Sequence, residues 1–249
     1  MCGTTWAIAL AIALQNGPPA ALHTSPAWPD DRPVIRFIPN LAEDVKALPS
    51  RTTLLVAAGG TLASLSLAKA DDEVATHFAK ENGSGWGGIG EVLGGGWVQG
   101  AAALFTYGVG RLYDSPKVVH TGSDLIRAQI LNGLIVTGLK VTVDRKRPDG
   151  GGYSFPSGHT AATFASASVL HGHFGWKVGA PAYSLAGFVA WTRMRDGQHW
   201  LSDVGAGATI GIIVGQAVTS GHRERTWTVV PTPMRGGFAL FVMRNPSVR

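Results

Sequence analysis

The sequence predicts an all-α protein, a bundle of about six helices followed by a short C-terminal β-hairpin. Three observations carry that expectation. Hydrophobic residues make up 45% of the 249 positions, enough for a core and too many for a disordered chain. Charged residues are only 15%, against roughly 25% in an ordinary soluble domain, and glycine supplies 34 positions. Few charges and many small residues suit closely packed helices, in a buried bundle or in a bilayer. Finally, six apolar, helix-like stretches lie near 52–68, 97–113, 123–139, 159–174, 178–192 and 202–220, punctuated by Gly and Pro clusters.

Taken in order, residues 1–22 read as a signal peptide or a merely apolar N-terminus. The apolar run from Trp6 to Leu14 has nine residues, too few to span a bilayer but suited to the core of an export signal. No Lys or Arg precedes it, and Ala20 and Ala21 give only a plausible cleavage region. Residues 23–51, rich in Pro and charge, read as an irregular lead-in, and 52–220 as the helical domain. The tail 221–249 holds two strand-like runs, Thr226-Trp-Thr-Val-Val and Phe238-Ala-Leu-Phe-Val-Met, around a Pro- and Gly-rich turn, so a hairpin closing the bundle is expected. The single cysteine, Cys2, excludes an internal disulfide framework and a cysteine-based metal site.

Gly83-Ser-Gly85-Trp-Gly-Gly88 satisfies G-x-G-x-x-G by letters, but no strand precedes it and no acidic residue follows at the right distance. It reads as a loop or helix rather than a nucleotide site.

The chemistry concentrates between Lys140 and Asp203. Lys140, Arg147 and Arg193 are cations at the ends of apolar segments, where a charge needs an anionic partner. Guanidinium forks grip a tetrahedral oxyanion bidentately, and lysine adds a point charge. Pro156-Ser157-Gly158 opens a helix, with Ser157 as N-cap; free amides and the positive dipole end favour phosphate there. Without a side chain, Gly158 lets an anion approach the backbone. His199 and Asp203, four apart, share one helix face, so the carboxylate can fix the imidazole tautomer and leave the other nitrogen free to attack. His159 is then placed to donate a proton to a leaving oxygen. Singly, each feature has a bland reading as turn, cap or surface pair; together and in this order, chance explains them poorly.

Lys140-x6-Arg147-Pro148, Pro156-Ser157-Gly158-His159 and Arg193-x5-His199-x3-Asp203 resemble the three-part signature of the type 2 phosphatidic acid phosphatase/haloperoxidase superfamily. The family often has Ser before the third-motif arginine, where this chain has Thr192 and keeps the hydroxyl. The resemblance implies an acid phosphatase/vanadium haloperoxidase-like bundle and a metal-independent phosphatase acting on a phosphomonoester or diphosphate, with a lipid phosphate or small organic phosphate as substrate. It implies His199 as the nucleophile forming a phosphohistidine, Asp203 orienting it, His159 protonating the leaving group, and Lys140, Arg147, Ser157, Gly158 and Arg193 holding the phosphoryl oxygens. No metal or other cofactor is implied, and vanadate is expected as an inhibitor. The alternatives are a vanadium-dependent haloperoxidase, with vanadate as cofactor in the same pocket, and a non-catalytic envelope protein that keeps the fold.

His120, His171 and His173 have no acidic partner at useful spacing and read as surface or interfacial residues. Asp71, Asp72 and Glu73 read as the start of a solvated loop, and Trp200 as packing beneath the site. Membrane association is expected and a nucleic-acid partner is not. In a six-span arrangement the three motifs share one face, which carries eight of the 21 Lys and Arg residues. That asymmetry favours an active site facing away from the cytoplasm. A cleaved signal would turn those loops inward, so signal and six spans conflict. Short, polar segments tip the expectation toward an exported bundle, periplasmic or membrane-associated, with an integral membrane protein as the alternative.

Overall fold

The computed structural model describes residues 10–11, 37–80, 86–220, 228–234 and 237–243. Nearly all of the expected signal region lies outside them. The chain divides into two compact units, Asp31–His222 and a second made of Met1–Asp30 with Arg223–Arg249.

The larger unit is helical: α1 (Phe37–Ala47), α2 (Arg51–Leu67), a 3₁₀ turn (Ala68–Ala70), α3 (Asp71–Lys80), α4 (Trp86–Gly94), α5 (Gly96–Leu112), α6 (Pro116–Val143), α7 (Gly158–Phe174), α8 (Trp176–Arg195) and α9 (Leu201–Thr219). Pro116 at the first position of α6 suits a helix start, where its missing N–H costs nothing. Gly175, at φ 70°, adopts the left-handed backbone that separates α7 from α8.

The fold-class expectation is corrected on two points. The described helices number nine rather than about six: α1 falls in the expected lead-in, α3 at the expected loop start, and α4 overlaps the glycine-rich segment read as a loop or helix. An all-α bundle closed by a hairpin is also not what the structure has. Strands β2 (Thr228–Met234) and β3 (Gly237–Met243) pair antiparallel, but they form a three-stranded sheet ordered β1-β3-β2, with β1 (Leu10–Ala11) parallel to β3. The strands belong to the smaller unit and not to the helical one. A two-residue N-terminal strand carries no period of its own, so the sequence could not announce it.

Helix α7 is central, packed against α6, α8 and α9. The core comprises Ala103 of α5, Leu125, Ala128 and Leu131 of α6, Ala165 and Val169 of α7, and Val214 and Val218 of α9. Much of the glycine content is spent where α9 meets α7. A Cβ at Gly207 would stand 2.6 Å from the Ser157 carbonyl oxygen, one at Gly211 2.4 Å from that of Ala161, and one at Gly215 2.4 Å from Ser168 Cβ. Spaced four apart, these glycines form a stripe that brings the two backbones into contact.

Arg51–Lys80, Pro116–Val143 and Leu201–Thr219 are long and apolar enough to cross a membrane. Leu54, Leu55, Leu62 and Leu65 of α2 and Leu134 of α6 are exposed on the bundle surface. This pattern matches the integral-membrane alternative more directly than an exported bundle.

Candidate active site

The second motif sits at the start of α7, the third at the end of α8 and start of α9, and the first at the end of α6 and the loop after it. Lys140 lies in the last turn of α6, not beyond it, and donates from Nζ to the Tyr153 carbonyl at 2.5 Å. Its Cε is 3.8 Å from where a Cβ on Gly158 would stand, so the lysine runs alongside the glycine at the α7 N-terminus. The first amides of that helix have no intrahelical acceptor. Ser157 occupies the N-cap position but does not cap with its side chain; its buried hydroxyl lies 2.9 Å from Thr160 Oγ1.

Arg147 is held by Gln198, whose Oε1 accepts from Nη1 and whose amide donates to Asp149 Oδ2 at 2.8 Å. Arg193 is 3% exposed inside α8 and donates from Nη2 to Asp196 Oδ2 at 2.6 Å. Asp149 and Asp196 thus tie down the arginine side of the site. Thr192 turns its hydroxyl to the Val189 carbonyl at 2.7 Å. It also receives α4, where a Cβ on Gly90 would fall 1.8 Å from its Oγ1. Gly94 of α4 likewise comes against His159, a Cβ there meeting His159 Cβ at 2.8 Å. The glycine-rich segment, read as a loop or helix, therefore leads into the helix that covers His159.

His199 is 4% exposed, with Nδ1 3.8 Å from Asp203 Oδ2. Asp203 is the third residue of α9, and its Oδ2 accepts from the Trp200 amide (3.0 Å) and the Ser154 hydroxyl (2.5 Å). Burial pushes His159 down to about 4, helped by the positive fields of Arg193 and Lys140 and by His199, while Glu91 opposes. Burial also lowers His199, as do Lys140 and Arg147, against the pull of Asp203. Contacts bring the motifs together: the His199 amide donates to the Arg193 carbonyl at 3.3 Å, the Ser157 amide donates to the Asp203 carbonyl at 3.0 Å, and Gln198, next to His199, holds Arg147. Among the described residues no three His, Cys, Asp or Glu side chains are grouped to hold a metal ion.

Two residues of this site were missed. Arg145 donates from Nη1 to Asp203 Oδ1 and Ser202 Oγ, and from Nη2 to Asp71 Oδ2, each at 2.7 Å. Asp71, far from solvating a loop, is 4% exposed at the start of α3. Its signal was the acidic first turn of α3 set against His77 and Lys80 in the last, the charge order of a helix. Trp200 lies under Arg145, whose guanidinium carbon is 5.2 Å from the ring, and donates from Nε1 to the Lys146 carbonyl. At the other end of α7, His173 is not a surface residue: it is 8% exposed, with Nε2 2.8 Å from Asp124 Oδ2.

Residues 121–227 match the family model described as the PAP2 superfamily. That match covers somewhat less than half of the chain. Over 100 residues, 38% of this chain and 22% of the relative, it is 40% identical to a lipid A 1-phosphatase from Porphyromonas gingivalis. Over 76 residues, 30% of this chain and 38% of the relative, it is 30% identical to a lipid A 4'-phosphatase from Helicobacter pylori. It thus spans between about a fifth and two fifths of these curated relatives' lengths. The crystal structure of Aquifex aeolicus LpxE superposes with a TM-score of 0.51 at 25% identity, covering 60% of this chain and 94% of that one.

Proposed function

We propose that this chain is a metal-independent phosphatase of the PAP2 type, embedded in a membrane, that hydrolyses a lipid phosphate through a phosphohistidine. The observation that carries this reading is the joining of the three motifs at the N-terminus of α7: Lys140 runs beside Gly158, the Ser157 amide bonds the Asp203 carbonyl, the His199 amide bonds the Arg193 carbonyl, and Gln198 next to His199 holds Arg147. Fixed cations and backbone amides there supply the charge stabilisation that a divalent metal gives in other phosphoryl-transfer sites.

His199 faces Asp203 with Nδ1, which leaves Nε2 as the attacking nitrogen. It bonds to phosphorus while the ester oxygen departs and takes a proton from His159. Water then attacks the phosphohistidine, losing its proton to His159, and phosphate leaves. Lys140, Arg147, Arg193, Ser157 and the Gly158 amide hold the phosphoryl oxygens during both steps.

Both curated relatives are phosphatases named for lipid A, which favours hydrolysis over halide oxidation and a lipid phosphate over a soluble ester. The three bilayer-length apolar stretches favour a membrane substrate for the same reason. The test is a substrate panel of lipid A, phosphatidate, undecaprenyl diphosphate and p-nitrophenyl phosphate, assayed in detergent with and without chelator and vanadate. Chelator-resistant, vanadate-sensitive release of phosphate from a lipid is expected. Loss of activity with chelator would overturn the metal-independent reading, and vanadate-dependent halide oxidation would replace it.

A further inference from the structure

We propose that Asp71 and Arg145 are positioning residues for the Asp203–His199 pair, with Arg145 clamping Asp203 and Asp71 returning the negative charge that the clamp would cancel. This rests on the phosphatase reading above. Arg145 reaches Asp203 Oδ1 with one nitrogen and Asp71 Oδ2 with the other, both at 2.7 Å. Ser202 closes the ring: its amide donates to Asp71 Oδ1 at 2.9 Å and its hydroxyl to Asp71 Oδ2 at 2.6 Å. The ring ties the start of α3 to the first turn of α9, where Asp203 is fully buried.

The charge balance makes this more than a brace. Arg145 and Asp203 alone would be a neutral pair, and a neutral pair gives little electrostatic help to an imidazole that gains positive character as it attacks. Two carboxylates against one guanidinium leave one negative charge in the ring. That charge lies beside His199, which otherwise faces Lys140, Arg147 and His159 around the site. Asp203 therefore keeps both a fixed orientation, from three donors, and an uncancelled charge, from Asp71.

The experiment titrates the His199 imidazole by ¹⁵N NMR in detergent, assigned against His199→Gln, in four proteins. Asp71→Asn makes the ring neutral, so the His199 midpoint is expected to fall by about one pH unit. Arg145→Met leaves two uncompensated carboxylates, and the midpoint is expected to rise. The double variant restores a single negative charge, and the midpoint returns toward wild type. In parallel, kcat falls about tenfold in Asp71→Asn with KM little changed and partly recovers in the double variant. A brace without an electrostatic role predicts additive losses and no opposed shifts. An unmoved midpoint in either single variant overturns the proposal, and either one that folds suffices. Wild-type inactivity on every phosphate tested would sink the phosphatase reading and leave the titration result standing.

Discussion

His199 Nδ1 and Asp203 Oδ2 lie 3.8 Å apart, within ion-pair range but beyond a hydrogen bond. Asp203 Oδ2 is already engaged by Ser154 and the Trp200 amide, and His199 Nδ1 has no hydrogen-bond partner among the described residues. The pair is therefore set to tighten when the imidazole becomes cationic or phosphorylated, since only then does the Nδ1 proton carry the charge that draws the carboxylate in.

His199→Ala should abolish turnover, by roughly 10³-fold or more, with the fold retained. Rapid quenching of the wild-type enzyme with labelled substrate should give acid-labile, base-stable phosphate on the chain, and the variant should give none. Near-normal turnover in His199→Ala would remove it as nucleophile.

The pH profile follows from the site's positive field. His159 titrates near 4 in the free site, yet an acid must hold its proton. A bound phosphoryl dianion offsets the neighbouring cations and raises it. Because kcat/KM reports the free enzyme and kcat the complex, the alkaline limb of kcat should lie at higher pH than that of kcat/KM. Coincident limbs, or limbs unchanged in His159→Gln, contradict the acid assignment.

Stability carries the same signature. With His159 folded near 4 against an ordinary value of about 6.5, the unfolded chain binds more protons in that window. The depressed His159 therefore costs stability progressively as pH falls from about 6.5 to 4. Thermal unfolding should show a shallower loss over this window in His159→Gln.

The glycine stripe predicts a structural loss that reaches the site. Gly211→Val should destabilise by about 1–3 kcal/mol or more, because the Ala161 carbonyl leaves no room for the added atoms. Gly207→Ala presses on the Ser157 carbonyl at the mouth of α7, so it should lower kcat more than it lowers the melting temperature relative to Gly211→Val. Equal effects of the two on kcat would show that the contact does not position Ser157.

A further network joins the far ends of these helices. Arg127 of α6 donates to Asp44 of α1 (2.5 Å), Asp124 (2.7 Å) and Ser123 (2.9 Å), and Asp124 in turn meets His173. Asp124→Ala removes one carboxylate partner of buried Arg127 and should cost roughly 3–5 kcal/mol. Activity per folded molecule should be unchanged, since the network lies at the opposite end of α7 from His159. A specific-activity assay on the gel-filtered peak separates the two effects.

What the sequence made legible was the chemistry and the long helices; what it hid depended on tertiary partners. Lys140, Arg147, His159, Arg193, His199 and Asp203 stood out only as an ordered set, because each alone reads equally well as a turn, a cap or a surface pair. Arg145 sits two positions before Arg147 and differs from it only in facing Asp71, 74 positions away. Helix α4 has four glycines in nine residues, a composition that local propensity rejects. Only Thr192, Val189 and His159 across the interface explain why side chains are excluded there. His173 lacked an acidic neighbour in sequence because its partner, Asp124, comes from another helix.

The pairing of Asp124 with Arg127 bears on how this protein is built. The two are three residues apart on α6, so the cation has a carboxylate within one turn before any other helix arrives. An ionised residue at mid-helix costs about 2.5–3.5 kcal/mol on insertion into a bilayer, and a partner on the same segment reduces that cost. An α6 inserted into a bilayer would thus carry its arginine already partnered on its own helix, and Asp44 and His173 complete the network from α1 and α7.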